Sequence, residues 1–241
     1  MKWALICGSS GDIGMQISKD LAEEGWSLYL HYTHNEQRIN ELVNQFNHKY
    51  PKQDFIPIQA DFLDKNSVEK ISNSIFSLDA VIFAQGTTYY ALLSDFPTEK
   101  IDEILTIQLK TPVLLLQKLQ KKLAKNKFGR VVFLSSIYGK TGSAMEVPYS
   151  SVKGAINTFV RAYSKEVASL GITVNAIAPG AVNTQMNSIF DDETLEKVKE
   201  EIPVGYLANV EEISYWVNVL LAEKASYMTG QTLFVNGGWL D

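Results

Sequence analysis

Short apolar runs alternate with longer amphipathic ones along nearly the whole chain, and this alternation constrains the fold most. The runs at 3–7, 27–32, 55–60, 80–84, 130–135, 172–177 and 232–235 read as strands. Between them, 13–24, 36–47, 67–76, 99–125, 149–170 and 210–221 carry helical periodicity. Strands this apolar are buried on both faces, as in a parallel sheet covered by helices. Interleaved β and α units with no segregated half predict an α/β, doubly wound parallel sheet of about seven strands with helices on both faces. The 241 residues contain no linker, repeat or low-complexity tract, so a single domain over 1–241 is expected. The irregular stretch around 180–204, with an acidic helical patch at 191–201, is a candidate lid over a substrate.

Composition narrows the function classes. A net charge of −5 and the lack of a basic stripe argue against nucleic acid as a partner. The basic stretch at 118–130 reads as the solvated end of a helix. No apolar run approaches the roughly 18 residues of a membrane span, and the run at 3–7 is too short for a signal-peptide core. The single cysteine, Cys7, cannot form an internal disulfide, so a reduced, cytoplasmic location is expected. His31, His34 and His48 have no partner at ligand spacing, and no catalytic metal is expected.

The first strand runs straight into Gly8-Ser9-Ser10-Gly11-Asp12-Ile13-Gly14 and then a helix. A glycine cluster can be only a tight turn. In strand–loop–helix order, however, Gly8, Ser10, Gly11, Ile13 and Gly14 match a dinucleotide loop: glycines let the backbone approach a pyrophosphate, and the helix N-terminus supplies N–H groups and positive dipole. Asp12 would repel a phosphate, and its favoured orientation is outward, supporting the helix start. The second strand ends at Tyr32, where an NAD-preferring site usually offers an acid. The missing acid leaves room for a 2′-phosphate and favours NADP(H) over NAD(H), although the nearest arginine, Arg38, lies on the following helix. Asp61 is a candidate to bond an adenine edge, or a plain loop carboxylate.

Ser136 closes the fifth strand; Tyr149 and Lys153, at i and i+4, share one face of the next long helix. An ammonium beside a phenol stabilises the phenolate and lowers its pKa, so that Tyr149 can pass a proton to a carbonyl oxygen as hydride arrives. The Ser136 hydroxyl can hold that oxygen. A bare Tyr-x-x-x-Lys pair is weak evidence; with a strand-end serine and an upstream dinucleotide loop it is far more specific.

Over essentially its whole length the chain resembles the short-chain dehydrogenase/reductase family, whose fold is Rossmann-type. The match rests on the glycine loop, Asp61, Ser136, Tyr149, Lys153, Asn175, Pro179-Gly180 with Thr184, and the closing segment at 227–238. The resemblance implies that Lys153 also holds the nicotinamide ribose, that Pro179, Gly180, Val182 and Thr184 line the nicotinamide with Gly86 nearby, and that the protein is a homodimer or homotetramer. The sequence departs from the family at Asp12, where glycine is usual, at Phe83-Ala84-Gln85-Gly86, and at Gln108, which aligns with a proton-relay asparagine. These departures leave open a cofactor-binding regulator without catalysis.

Within the family, one resemblance is to 3-oxoacyl carrier-protein reductases, for which Arg130 is a candidate contact to an acidic carrier. A closer one is to reductases of a 5-aminopentanone group on a modified lysine of elongation factor P. It rests on Leu30-His31-Tyr32, the Ser135-Ser136-Ile137-Tyr138-Gly139-Lys140-Thr141-Gly142 run, Glu146-Val147, the segment from Pro179 to Thr184, Glu201-Ile202-Pro203 and the terminal Gly-Gly-Trp. The implied substrate is a protein-borne chain with a ketone. Glu146, three residues before Tyr149, is a candidate to attract a cationic substrate, or merely a polar loop residue.

Overall fold

The computed structural model describes residues 1–185 and 191–239. Its strands are β1 (Trp3–Cys7), β2 (Ser27–Tyr32), β3 (Phe55–Gln59), β4 (Ala80–Phe83), β5 (Gly129–Leu134), β6 (Ile172–Pro179) and β7 (Thr232–Val235). All pair in parallel, in the order β3-β2-β1-β4-β5-β6-β7. The helices are α1 (Asp12–Glu23), α2 (Glu36–Lys49), α3 (Ser67–Ser74), α4 (Thr98–Leu105), α5 (Thr111–Ala124), α6 (Tyr138–Thr141), α7 (Val147–Val167), α8 (Asp192–Glu201) and α9 (Val210–Leu221).

Successive residues of a strand face opposite sides of its sheet. Trp3, Leu5 and Cys7 therefore pack with Ile71 of α3, Leu115 and Leu119 of α5, and Ile156 and Val160 of α7. Ala4 and Ile6 pack with Ile17 and Leu21 of α1, Ile39 and Leu42 of α2, and Ile213 and Val217 of α9. Burial on both faces is why the strands show no polar alternation. This is the doubly wound, single-domain Rossmann-type fold. The strand order reverses between β1 and β4, which opens a crevice at the carboxyl ends of the strands.

Several boundaries differ from the sequence pattern. The helix expected over 99–125 is α4 and α5 joined by a π-helical turn, Thr106–Lys110. The sixth strand runs on to Pro179, and α7 begins at Val147, so Tyr149 lies in its first turn. The single-turn helix α6 is too short to show periodicity. The acidic patch forms α8, capped where the Asp191 carboxylate accepts from the Thr194 N–H at 2.9 Å. Residues 186–190 of the expected lid lie outside the described residues. Among those described, no helix is long and apolar enough to cross a membrane.

Candidate active site

The crevice is a cleft of about 870 Å³ lined by the ends of β1, β4, β5 and β6 and the loops that follow them. Its floor begins at Gly8, whose φ of 79° is left-handed and suits glycine. A Cβ on Gly8 would lie 2.7 Å from the Gln85 backbone, and one on Gly14 would lie 2.2 Å from the Gly8 carbonyl oxygen. Only glycine lets the loop lie this low. The N-cap of α1 is Gly11, which offers no side-chain cap, so the first-turn N–H groups remain as donors for an anion. These features fit a dinucleotide pyrophosphate. Behind the loop, buried His31 accepts from the Gly8 N–H through Nδ1 at 3.2 Å, so its Nε2 carries the proton and donates to the Ala60 carbonyl at 3.0 Å. Burial pushes the pKa of His31 down to about 4, which keeps it neutral.

Asp12 does not point outward. Its Oδ1 pairs with Arg38 at 2.9 Å and its Oδ2 accepts from the Gln185 N–H at 2.7 Å. Arg38 in turn donates to the Ser10 carbonyl at 2.9 Å, so the arginine of α2 folds back onto the glycine loop. The guanidinium beside Asp12 and the Gln185 N–H hold its carboxyl below the usual range against the opposing effect of burial.

Ser136, Tyr149 and Lys153 meet in the middle of the cleft. The Ser136 hydroxyl is hydrogen-bonded to the Tyr149 hydroxyl and accepts from the Tyr138 N–H at 3.2 Å. Ser135 turns the other way, bonding the Lys153 carbonyl at 3.3 Å and Asn157 at 2.7 Å, which fixes α7 against the end of β5. Gly139 permits that approach: a Cβ there would lie 2.7 Å from the Lys153 backbone. The Lys153 ammonium donates to the Leu134 carbonyl at 2.7 Å and lies 5.2 Å from the Tyr149 ring centroid. The expected depression of the Tyr149 pKa is not found. Burial raises it, the Glu146 carboxylate raises it further, and the Ser136 hydrogen bond only opposes them. Burial also pushes Lys153 down to about 7.

Beyond Tyr149, Glu146 is only 4% exposed, yet its carboxylate faces hydroxyls. It accepts from Thr88 at 2.8 Å, from Ser143 at 3.4 Å and from Tyr90. Burial raises its pKa against these three bonds. The result is a desolvated acceptor in the cleft wall near Tyr149.

Gly8, Ser10, Gly11, Ile13, Gly14, Gly86, Pro179, Gly180, Val182 and Thr184 line the cleft as expected from the sequence. Three candidates do not. Tyr32 is buried at the end of β2, its ring packed with the core residues on the α2 side and its hydroxyl donating to the Glu36 carboxylate at the start of α2. The Asp61 carboxylate accepts from the Leu63 N–H at 2.9 Å through one oxygen. Gln108 is 1% exposed, and its amide nitrogen donates to the Thr87 carbonyl at 2.7 Å. Arg130 is no surface contact for an acidic carrier either: it is buried, with its guanidinium over the Phe128 ring and bonded to the Gly129 carbonyl and the Ser226 hydroxyl. Asn175 bridges Met228 and Gln231 and is structural. The sequence reading missed Thr88, Tyr90 and the return of Arg38, none of which carries a local motif.

A family model described as "Enoyl-(Acyl carrier protein) reductase" matches residues 8–240. The chain belongs to the short-chain dehydrogenase/reductase family. It is an oxidoreductase acting on alcohol and ketone groups. It is 41% identical over 239 residues to the "Uncharacterized oxidoreductase YmfI" of Bacillus subtilis (strain 168), covering 99% of this chain and 98% of that one. It is 31% identical to the "3-oxoacyl-[acyl-carrier-protein] reductase FabG" of Aquifex aeolicus (strain VF5), covering 98% and 96%. Its fold is shared with a putative NAD(P)-dependent gluconate 5-dehydrogenase from Beutenbergia cavernae, solved with bound NADP at low occupancy. That match has a TM-score of 0.92 and 24% identity over 99% of this chain and 96% of that one.

Proposed function

We propose that the protein is an NADPH-dependent ketone reductase whose substrate carries a cationic amine, the 5-aminopentanone group on a modified lysine of elongation factor P. The observation that carries this reading is Glu146, a buried carboxylate held by Thr88, Tyr90 and Ser143 at the substrate end of the cleft. A buried carboxylate is costly unless a charge answers it, and an ammonium would do so. Glu146 lies on the loop just before the helix that carries Tyr149, so an amine held there leaves a ketone a few bonds away beside the Ser136 and Tyr149 hydroxyls.

The bound cofactor supplies the hydride that reaches the carbonyl carbon. Tyr149 gives its hydroxyl proton to the carbonyl oxygen, Ser136 holds that oxygen, and the product is the alcohol. Arg38, set beside Ser10 and Asp12, supports NADP(H) over NAD(H), since its remaining N–H groups can meet a 2′-phosphate.

A 3-oxoacyl carrier-protein reductase is the second reading, favoured by the identity to the Aquifex aeolicus protein. One assay separates them: NADPH oxidation with ketone-bearing elongation factor P against an acetoacetyl thioester. Turnover confined to the modified factor, weakened by Glu146→Gln at limiting substrate, is the expected result. Faster turnover of the thioester, indifferent to Glu146→Gln, would overturn the proposal. Elongation factor P from a deletion strain should retain a modification one H₂ lighter than normal.

A further inference from the structure

Gln108 aligns with a relay asparagine, but its contacts lead elsewhere. It sits in the π-helical turn between α4 and α5, outside the cleft lining. A π turn inserts an extra residue and often marks a functional position in a helix. Two glutamines stitch this turn to the segment that follows β4. The Gln85 amide donates to the Ile107 carbonyl at 3.1 Å, and the Gln108 amide donates to the Thr87 carbonyl at 2.7 Å. The Gln108 oxygen packs toward Gly86, where a Cβ would lie 3.6 Å away. Lys153, the other end of a relay, is bonded to the Leu134 carbonyl. The residue after Thr87 is Thr88, which donates to Glu146 at 2.8 Å.

We propose that Gln108 is a positioning residue for substrate recognition: by holding the Thr87 carbonyl it sets Thr88, and through Thr88 it aims the Glu146 carboxylate. This rests on the reading of Glu146 as an ammonium acceptor. It gives the Gln108 amide nitrogen a task of its own at the Thr87 carbonyl, while the Gln108 oxygen is buried beside Gly86 without a hydrogen-bond partner.

The test uses the full chain with two small ketones of matched length, one bearing a terminal ammonium and one a neutral methyl. KM and kcat are measured for wild type and for the variants Gln108→Asn, Gln108→Leu, Thr88→Val and Glu146→Gln. Losing one buried neutral hydrogen bond corresponds to roughly a fivefold effect. Gln108→Asn should therefore raise KM for the cationic ketone about fivefold, leave the neutral ketone within about twofold, and leave kcat and its pH profile unchanged. Thr88→Val should behave in the same way. NADPH affinity, read by nicotinamide fluorescence, should not change in any of the four.

A relay role predicts a different pattern: Gln108→Asn, which restores the usual family residue, would leave KM for both ketones unchanged, and Gln108→Leu would lower kcat for both ketones with a displaced pH profile. That result overturns the proposal. If Glu146→Gln abolishes the preference for the cationic ketone while Gln108→Asn and Thr88→Val leave it intact, the positioning role fails and the amine reading stands. If Glu146→Gln leaves that preference unchanged, the amine reading fails and this proposal falls with it.

Discussion

Replacing Lys153 by methionine should make the protein more stable at neutral pH while abolishing its turnover. Lys153 is 3% exposed and its ammonium has a single acceptor, the Leu134 carbonyl at 2.7 Å. Burial lowers its pKa from the ordinary 10.5 to about 7. Because the unfolded chain keeps the higher value, it binds more protons than the folded one throughout the interval between the two. Stability attributable to this group therefore rises with pH between about 7 and 10.5 and is lowest below about 7, where both states are charged.

Integrating the linkage over that pKa difference gives a gain of about 2 kcal/mol from pH ~7 to pH ~9. For a domain of this size that is a rise of about 4–8 °C in Tm. Methionine keeps the apolar stem but leaves the Leu134 carbonyl without its donor, at a cost of about 1–3 kcal/mol. The removed charge penalty near neutrality approaches about 5 kcal/mol, so a net gain remains.

The assay is thermal unfolding of wild type and Lys153→Met at several pH values, comparing the difference between the two so that all other titrating groups cancel. The variant should be the more stable near pH 7, with its advantage shrinking by about 2 kcal/mol toward pH ~9. A constant difference across that range, or a variant less stable than wild type near pH 7, would refute the reasoning. It would mean that Lys153 reaches solvent or a counter-charge in the folded protein.

Other expectations are simpler. Tyr149→Phe should lower kcat by roughly 10³-fold or more and leave NADPH binding intact, as read by fluorescence titration. Unchanged turnover would take the proton-donor role away from Tyr149, and cofactor binding with no turnover in wild type or variant would instead favour a cofactor-binding regulator. Arg38→Ala should weaken NADPH about 10- to 100-fold and NADH less than about twofold in direct titration. Equal losses for both cofactors would show that Arg38 only braces the glycine loop.

The parts legible in the sequence are those whose chemistry is local. The phosphate loop depends on backbone geometry, so Gly8 and Gly14 show in the letters what the contacts at 2.7 and 2.2 Å confirm. Ser136, Tyr149 and Lys153 are legible because a strand end and an i, i+4 helix pair fix them in space. Arg38 is legible as a residue of the following helix, but its distance along the chain from the glycine loop hides the return of its guanidinium onto that loop. The lowered pKa of Lys153 is hidden for a related reason. Spacing shows who its neighbours are, whereas its pKa is set by burial, which only the packed sheet and helices create.

The part of the cleft around Glu146, proposed to hold substrate, resists sequence reading for a physical reason. Its residues lie on two irregular segments, Thr87 to Tyr90 and Ser143 to Glu146, with no periodicity to announce them. The two are joined by the Ala91 N–H donating to the Met145 carbonyl at 3.0 Å, with Met145 in the left-handed region at φ 63°. That link places Thr88 against Glu146, and the Gln108 amide fixes the first segment from behind. The cofactor half needs one backbone shape for every member that binds a dinucleotide, whereas each new substrate needs new side chains on these two loops. A buried carboxylate surrounded by hydroxyls is therefore a feature that only the folded chain reveals. On the proposed reading an ammonium would add to the three hydroxyl hydrogen bonds that already offset the desolvation of Glu146.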